Sequence, residues 1–324
     1  MTTRRQLLIA GALSAIAARV VAQTRKPVKI GILGPRSFAD SGYAGPVVRR
    51  LGELGYRDGE GMTLEYRSSE GFAERYPRQA RELIDLKCDI IIALGAEAAA
   101  RALRDARTSV PGIFLALDYD PLEKKIVGSL SRPDGNITGV YVPQGALAAK
   151  RLEIMREVVP AARRFLVFVD DFSVDQVGTV RKAAQAAGVE LTVIEFKKQP
   201  YDYAGAFEAG RKAQAQALIG LASPVFAGTR AQLADLCMKY RLPSAGTGRT
   251  VAEAGFLLSY GVNVAKTTDR VADLAVRLLK GAKPADIPVE QADEFELVIN
   301  TKTAKALGTR IPESVMARAT RIIT

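Results

Sequence analysis

Asp118 and Asp120, two carboxylates one residue apart, are the nearest thing in this chain to an acid–base pair. Two such groups flanking a glycosidic bond could do glycosidase chemistry, but vicinal acids in a loop more simply cap turns. The chain contains no histidine, which removes the usual proton-transfer group at neutral pH and any Ser-His-Asp triad. There is no G-x-S-x-G and no G-x-x-x-x-G-K-[ST], and Gly246-Thr247-Gly248-Arg249-Thr250-Val251 lacks the third glycine of a dinucleotide fingerprint. Cys88 stands at the entry to an apolar run and Cys237 in a helical stretch, so two buried free thiols are expected. Without histidine or clustered cysteine no metal site and no cofactor are implied. An activated nucleophile needs a base that this composition withholds, so catalysis is not expected.

The N-terminus carries a different kind of signal. Thr3-Arg4-Arg5-Gln6-Leu7-Leu8 sets paired arginines before an apolar run over residues 7–16, and residues 1–22 hold no acid. The run is shorter than the ~20 apolar residues a membrane span takes. Val20-Val21-Ala22 has the small-x-small form that signal peptidase reads, with Ala15-Ile16-Ala17 a second candidate. Residues 1–22 therefore read as a cleaved export signal, twin-arginine-like or general secretory, and the mature protein is expected in the periplasm. No cysteine stands at the cleavage site to carry a lipid anchor. The formal charge of +11 could suggest nucleic acid. Arg49-Arg50, Arg163-Arg164 and Lys197-Lys198 are scattered pairs without interleaved aromatics, so a solvated basic surface is the better reading.

From Val28 onward short apolar runs alternate with helical-period segments, the pattern of a parallel sheet flanked by helices. Strands are expected at 28–33, 63–66, 89–94 and 112–117, with helices at 43–54, 75–86 and 96–106. After Pro133-Asp134-Gly135-Asn136 the pattern restarts, with helices at 147–158, 174–187, 203–213 and 229–240 and strands at 164–169, 190–196, 217–221 and 242–244. A long helix over 266–279, an extended stretch over 288–299, a short helix over 301–307 and a terminal helical stretch complete the chain. The expected fold class is α/β: two doubly wound, Rossmann-like lobes. Residues 27–141 with 264–288 make one, and 142–260 with 291–324 the other. Crossings near 137–142, 259–262 and 288–297 would form a three-segment hinge, the device by which two-lobed receptors close on a ligand.

Several words along the chain carry a resemblance. They are Leu54-Gly55-Tyr56 with Glu65-Tyr66-Arg67, Ser131 through Gly139 with its Asn136-Ile137-Thr138-Gly139, Lys150-Arg151-Leu152-Glu153, Glu253-Ala254-Gly255 with Ser259-Tyr260-Gly261, and Phe295-Glu296-Leu297-Val298-Ile299-Asn300 before Thr303-Ala304-Lys305-Ala306-Leu307-Gly308. Together they resemble the extracytoplasmic solute-binding proteins of ABC transporters, in the group that includes bacterial tryptophan- and phenylalanine-binding proteins. The resemblance implies a type I periplasmic-binding fold, no catalysis, a small-molecule solute, an ABC permease in the inner membrane as partner, and a monomer.

Ligands of such folds lie outside the carboxyl ends of the strands. That rule selects Arg36, Phe38, Gly95, Ala96, Tyr119 and Asp120 in the first lobe, and Asp170, Phe172, Ser223, Phe226 and Arg249 in the second. The helix opening at Gly95-Ala96 would hold a carboxylate, Asp120 or Asp170 an ammonium group, and Phe38, Tyr119, Phe172 and Phe226 would wall a side chain. Arg36 and Arg249 could take a carboxylate bidentately. Lys124-Lys125, Phe256 and the absence of an acid near Ser223 depart from the group's pattern. An amino acid, aromatic ones included, and a small carboxylate both stay open as solutes. A receptor feeding a membrane sensor kinase is the alternative role, and an exported α/β enzyme a more distant one.

Overall fold

The computed structural model describes residues 27–117 and 119–324. The export-signal reading and Asp118 lie outside the described residues. In chain order the first half holds β1 (Val28–Gly34), α1 (Ala44–Glu53), β2 (Arg57–Asp58), β3 (Gly61–Ser68), α2 (Tyr76–Asp85), β4 (Ile90–Gly95), α3 (Glu97–Asp105), β5 (Gly112–Ala116) and β6 (Ile137–Tyr141). The second half opens with α4 (Gln144–Val158), β7 (Arg164–Val169), α5 (Val174–Ala187), β8 (Glu190–Glu195), α6 (Tyr203–Lys212) and β9 (Ala217–Ile219). It continues through α7 (Pro224–Gly228), α8 (Arg230–Lys239), β10 (Ser244–Gly246), α9 (Arg249–Glu253), β11 (Leu258–Val262), α10 (Val264–Leu279) and β12 (Glu290–Gln291). β13 (Phe295–Asn300), α11 (Thr301–Leu307), α12 (Glu313–Met316) and β14 (Arg321–Ile323) close the chain.

The strands form two sheets, ordered β12-β6-β5-β4-β1-β3-β2 and β14-β13-β11-β10-β9-β7-β8. All named pairings are parallel except β11 with β13. A parallel sheet needs helices on both faces, and β4 accordingly reads Ile-Ile-Ile-Ala-Leu-Gly with every residue buried. Each sheet separates two apolar clusters. Val47, Leu51 and the α10 stripe lie on one side of the first sheet, with Tyr76, Leu83 and Leu103 on the other. Leu152, Met155 and Val180 flank the second sheet opposite Phe168, Phe207 and Leu233. In both sheets the strand order reverses beside the first strand, between β1 and β4 and between β7 and β9.

The chain crosses between the sheets three times: from β6 into α4, from β11 into α10, and from β12 into β13. Residues 137–141 are a regular strand of the first sheet, and the crossing follows at Val142 and Pro143. The crossings are laterally bonded. Asn263 caps α10 through its Oδ1, donates Nδ2 to the Glu296 carboxylate at 2.9 Å, and donates its N–H to the Glu294 carbonyl. Ala292 N–H donates to the Tyr141 carbonyl at 2.8 Å. Beneath this bundle Arg151 of α4 is fully buried and donates Nη1 to the Tyr260 carbonyl at 3.0 Å. Its Nε and Nη2 meet no acceptor among the described residues, and burial pushes the guanidinium down to about 9, still protonated at neutral pH.

The terminal stretch expected to be helical is helical only over Glu313–Met316; Arg321–Ile323 instead pairs parallel to β13. A three-residue edge strand gives too little periodicity to read, and its partner is set by the sheet. Cys88 and Cys237 are free and buried, on different sheets' clusters, with burial pushing their thiols up to about 11 and about 12. The thiolate is the reactive form, so neither thiol should react with an aromatic disulfide reagent at pH 8 until denaturant is added. Release of thiolate chromophore from the native protein would contradict this packing.

Candidate functional site

The two switch points, where the strand order reverses, place four loops at the carboxyl edges of the sheets. In the first lobe these are residues 35–43 after β1 and the turn at Gly95 after β4. Gly95 has φ 86°, a left-handed value that favours glycine, and it turns the chain sharply into α3. Ala96 donates its own N–H to the Leu94 carbonyl, so the helix opening presents the N–H groups of Glu97 and Ala98. Glu97 stands in that first turn and pairs with Arg101.

The loop after β1 is organised by a residue the loop rule did not select. Tyr66, on β3, donates its hydroxyl to the Arg36 carbonyl at 2.7 Å and packs edge-on to Phe38 at 5.4 Å. A Cβ at residue 34 would collide with the Tyr66 hydroxyl, so Gly34 lets this ring close over the end of β1. Burial pushes the Tyr66 hydroxyl up, a shift opposed by its bond with Ser41. Phe38 is left partly exposed, and Arg36 reaches across to the second lobe, donating Nη2 to the Pro224 carbonyl at 3.4 Å.

In the second lobe the loops after β7 and β9 are joined by one carboxylate. Asp170 is 3% exposed, and its Oδ1 accepts from Ser173 Oγ at 2.7 Å and from Phe172 N–H at 3.2 Å. Its Oδ2 accepts from Ser223 Oγ at 2.5 Å and from the Tyr201 hydroxyl at 3.4 Å. Four donors fill the acceptor capacity of a carboxylate. Ser223 in turn caps α7, accepting from the N–H groups of Val225 and Phe226. A second staple is Gln176, whose side-chain amide both donates to the Ala222 carbonyl at 2.8 Å and accepts from its N–H at 2.9 Å.

Aromatic rings back this cradle. Tyr201 stacks on Phe196 with centroids 4.7 Å apart and planes 14° apart, and Phe196 meets Phe168, Tyr203 and Phe226 edge-on. Phe226 is buried in that cluster, whereas Phe172 is exposed. Burial first, then Asp170, pushes the Tyr201 phenol up to about 12, so it stays a neutral donor. Tyr201 follows β8, beside the switch point, and its tertiary partner gives it a place among the candidate residues.

Three candidates are engaged within their own lobes. Tyr119 is packed into the first-lobe core, 4% exposed. Asp120 caps its own turn, its Oδ1 accepting from the N–H groups of Leu122 and Glu123 at 2.8 and 3.1 Å. Arg249 opens α9 and pairs at 3.5 Å with Glu253, both about half exposed. The arrangement therefore brings Arg36, Phe38, Asp170, Phe172, Ser223 and Phe226 to the two facing switch points. Among the described residues no group of three or more acids, cysteines or histidines could hold a metal ion, and no helix is long and apolar enough to cross a membrane.

Residues 40–323 match the family model described as ABC transporter substrate binding protein. Over 271 residues the chain is 24% identical to a protein named tyrosine-binding protein from Clostridioides difficile (strain R20291), covering 80% of this chain and 74% of that one. It superposes with a TM-score of 0.80 on the crystal structure of an ABC domain in complex with L-Trp from Streptococcus pneumonia, at 24% identity, covering 92% of this chain and all of that one. A conserved domain protein from Vibrio cholerae gives a TM-score of 0.81 at 23% identity with the same coverage. The fold is thus the type I periplasmic-binding fold, two lobes of mostly parallel sheet.

Proposed function

The chain belongs to the ABC transporter substrate-binding protein family, and from that premise we propose that it is the periplasmic, monomeric receptor of an importer, trapping a small organic solute between its lobes and presenting the closed form to an inner-membrane permease. The observation that carries this reading is the meeting of switch-point loops from the two sheets, Arg36 of the first lobe reaching Pro224 of the second beside the Asp170–Ser223 pair. In this reading Arg36 receives a solute carboxylate, Phe38 and Phe172 supply exposed apolar walls, and Asp170 acts through Ser223 and Tyr201 as the organiser of the second-lobe half. With its acceptor positions taken, Asp170 orients donors in place of holding an ammonium group directly. The chain has no histidine to move a proton at neutral pH, so the proposed role is binding without turnover.

Relatives named for tyrosine and crystallised with L-Trp make aromatic amino acids the first class to test, with small carboxylates second. Closure is a population shift: a solute that touches both lobes only when they are shut stabilises the shut state by those extra contacts. A thermal-shift screen of the protein lacking residues 1–22 tests the reading. A true solute at a hundredfold over its Kd stabilises the protein by about 2.7 kcal/mol. Turnover of any compound, or no shift across amino acids and small carboxylates, would remove it.

A further inference from the structure

We propose that Lys124 and Asp175 form an electrostatic latch across the mouth of the cleft, favouring the closed arrangement of the lobes before any solute arrives. Lys124 belongs to the loop after β5 of the first sheet, and Asp175 to the first turn of α5 on the second. Their Nζ and Oδ2 are 2.8 Å apart, and the two side chains are 31% and 33% exposed. Nothing in chain order brings these groups together. The pair exists only when the lobes approach.

Both halves of the latch are held in place. Lys124 donates its N–H to the Asp120 carbonyl at 3.0 Å, and Lys125 and Ile126 donate to Leu122 and Pro121. Asp120 caps the turn from inside, and Arg101 and Arg104 of α3 donate to the carbonyls of Lys124 and Lys125. With the backbone that carries Lys124 fixed, the ordering cost that remains is that of the two side chains, which keeps the pair in the modest range of surface ion pairs. Opposite, Asp175 lies two residues after Ser173, which is pinned to Asp170, and a carboxylate in the first turn of a helix is favoured by the macrodipole. Asp120, read from sequence as a solute contact, thus serves the latch by position, shaping the turn that carries Lys124.

The same loops carry Leu122 on one lobe and Phe172 and Val174 on the other, all exposed. Exposed apolar residues therefore neighbour each partner of the ion pair along the chain. The Arg36–Pro224 contact is a second strap between the lobes, longer and to a neutral acceptor.

The latch rests on the two-lobe closure just proposed, but its test needs no solute. Spin labels on Glu74→Cys and Lys198→Cys, both exposed and on opposite lobes, report the distance across the mouth, while the buried native thiols stay unlabelled. In solute-free protein at low salt, Lys124→Glu and Asp175→Lys should each lower the closed-to-open ratio by about two- to fivefold. The charge-swapped double variant should restore most of it, which a helix-terminus or folding defect from either single change would not allow. Raising salt should open the native protein and leave Lys124→Gln unmoved. Identical distance distributions in native, single and swapped proteins would overturn the latch. A normal salt-sensitive latch in a protein that binds none of the screened solutes would instead overturn the proposed receptor function and leave the latch standing.

Discussion

Asp170→Ala is expected to lower the unfolding free energy by about 2–4 kcal/mol, because charge-assisted hydrogen bonds are lost and the donors left behind stay buried. Ser223 and Ser173 are both buried, and each gives its hydroxyl to this carboxylate. The change also frees Phe172 N–H and the Tyr201 phenol. A carboxylate that only held an ammonium group could be removed without cost to the fold; the four donors around Asp170 make its loss costly to fold and binding alike. Asp170→Asn keeps the shape and one acceptor oxygen, so its loss should be about half as large. Denaturant melts with matched slopes, together with solute titrations, check the pair. A stability change within about 0.5 kcal/mol for Asp170→Ala, the usual size for a surface site, would show that the network carries no weight.

Gly261→Ala should cost about 3 kcal/mol, at the upper end for overpacking, because the obstacle is backbone. A Cβ on residue 261 would stand inside contact distance of the Thr247 carbonyl, with Gly248 close behind. Thr247 follows β10, and β10 is locked in register to β11 by the Gly246–Ser259 pairing, so neither side can retreat. The strain would fall on β11, which leads directly into a crossing between lobes, and closure should suffer along with stability. Gly139 meets the same situation against the Phe114 carbonyl, its register partner on β5. Gly178 is the control: it lies within α5 with nothing near its Cβ, and alanine there should stabilise by about 0.5–1 kcal/mol. Equal melting temperatures for Gly261→Ala and Gly178→Ala would refute the close-approach account. These two glycines, Gly139 and Gly261, also give physical meaning to words by which the chain resembles its relatives. Thr138-Gly139 and Tyr260-Gly261 end at points where two backbones touch.

Much of the fold is legible locally. The continuous apolar run at residues 90–94, too short for a helix of ordinary length, reads as a strand covered on both faces, and the restart after residue 136 marks a second unit because each doubly wound sheet needs its own set of alternating strands and helices. Loops at the carboxyl edges follow from that alternation, which is why Arg36, Asp170 and Ser223 could be singled out from residue order. Tyr66 and Tyr201 escaped because each acts on a loop from a neighbouring strand, 30 and 31 residues from its hydrogen-bond partner. Arg151 escaped for a related reason. Its helix is legible from residue order and Arg151 belongs to a word shared with relatives, but only the packing of α4 beneath β11 buries the guanidinium against the Tyr260 carbonyl.

What residue order determined here are properties that repeat within a few positions: strand and helix periods, and the doubling of the α/β unit. What tertiary structure alone decided are the partnerships. Asp170 became a hub and Asp120 a turn cap because of which donors the folded loops delivered to them, and Lys124 found Asp175 because two sheets face each other. Periodicity is written in side chains that share one local backbone geometry. A partnership depends on where distant backbones end up, and a single chain of letters does not carry that distance.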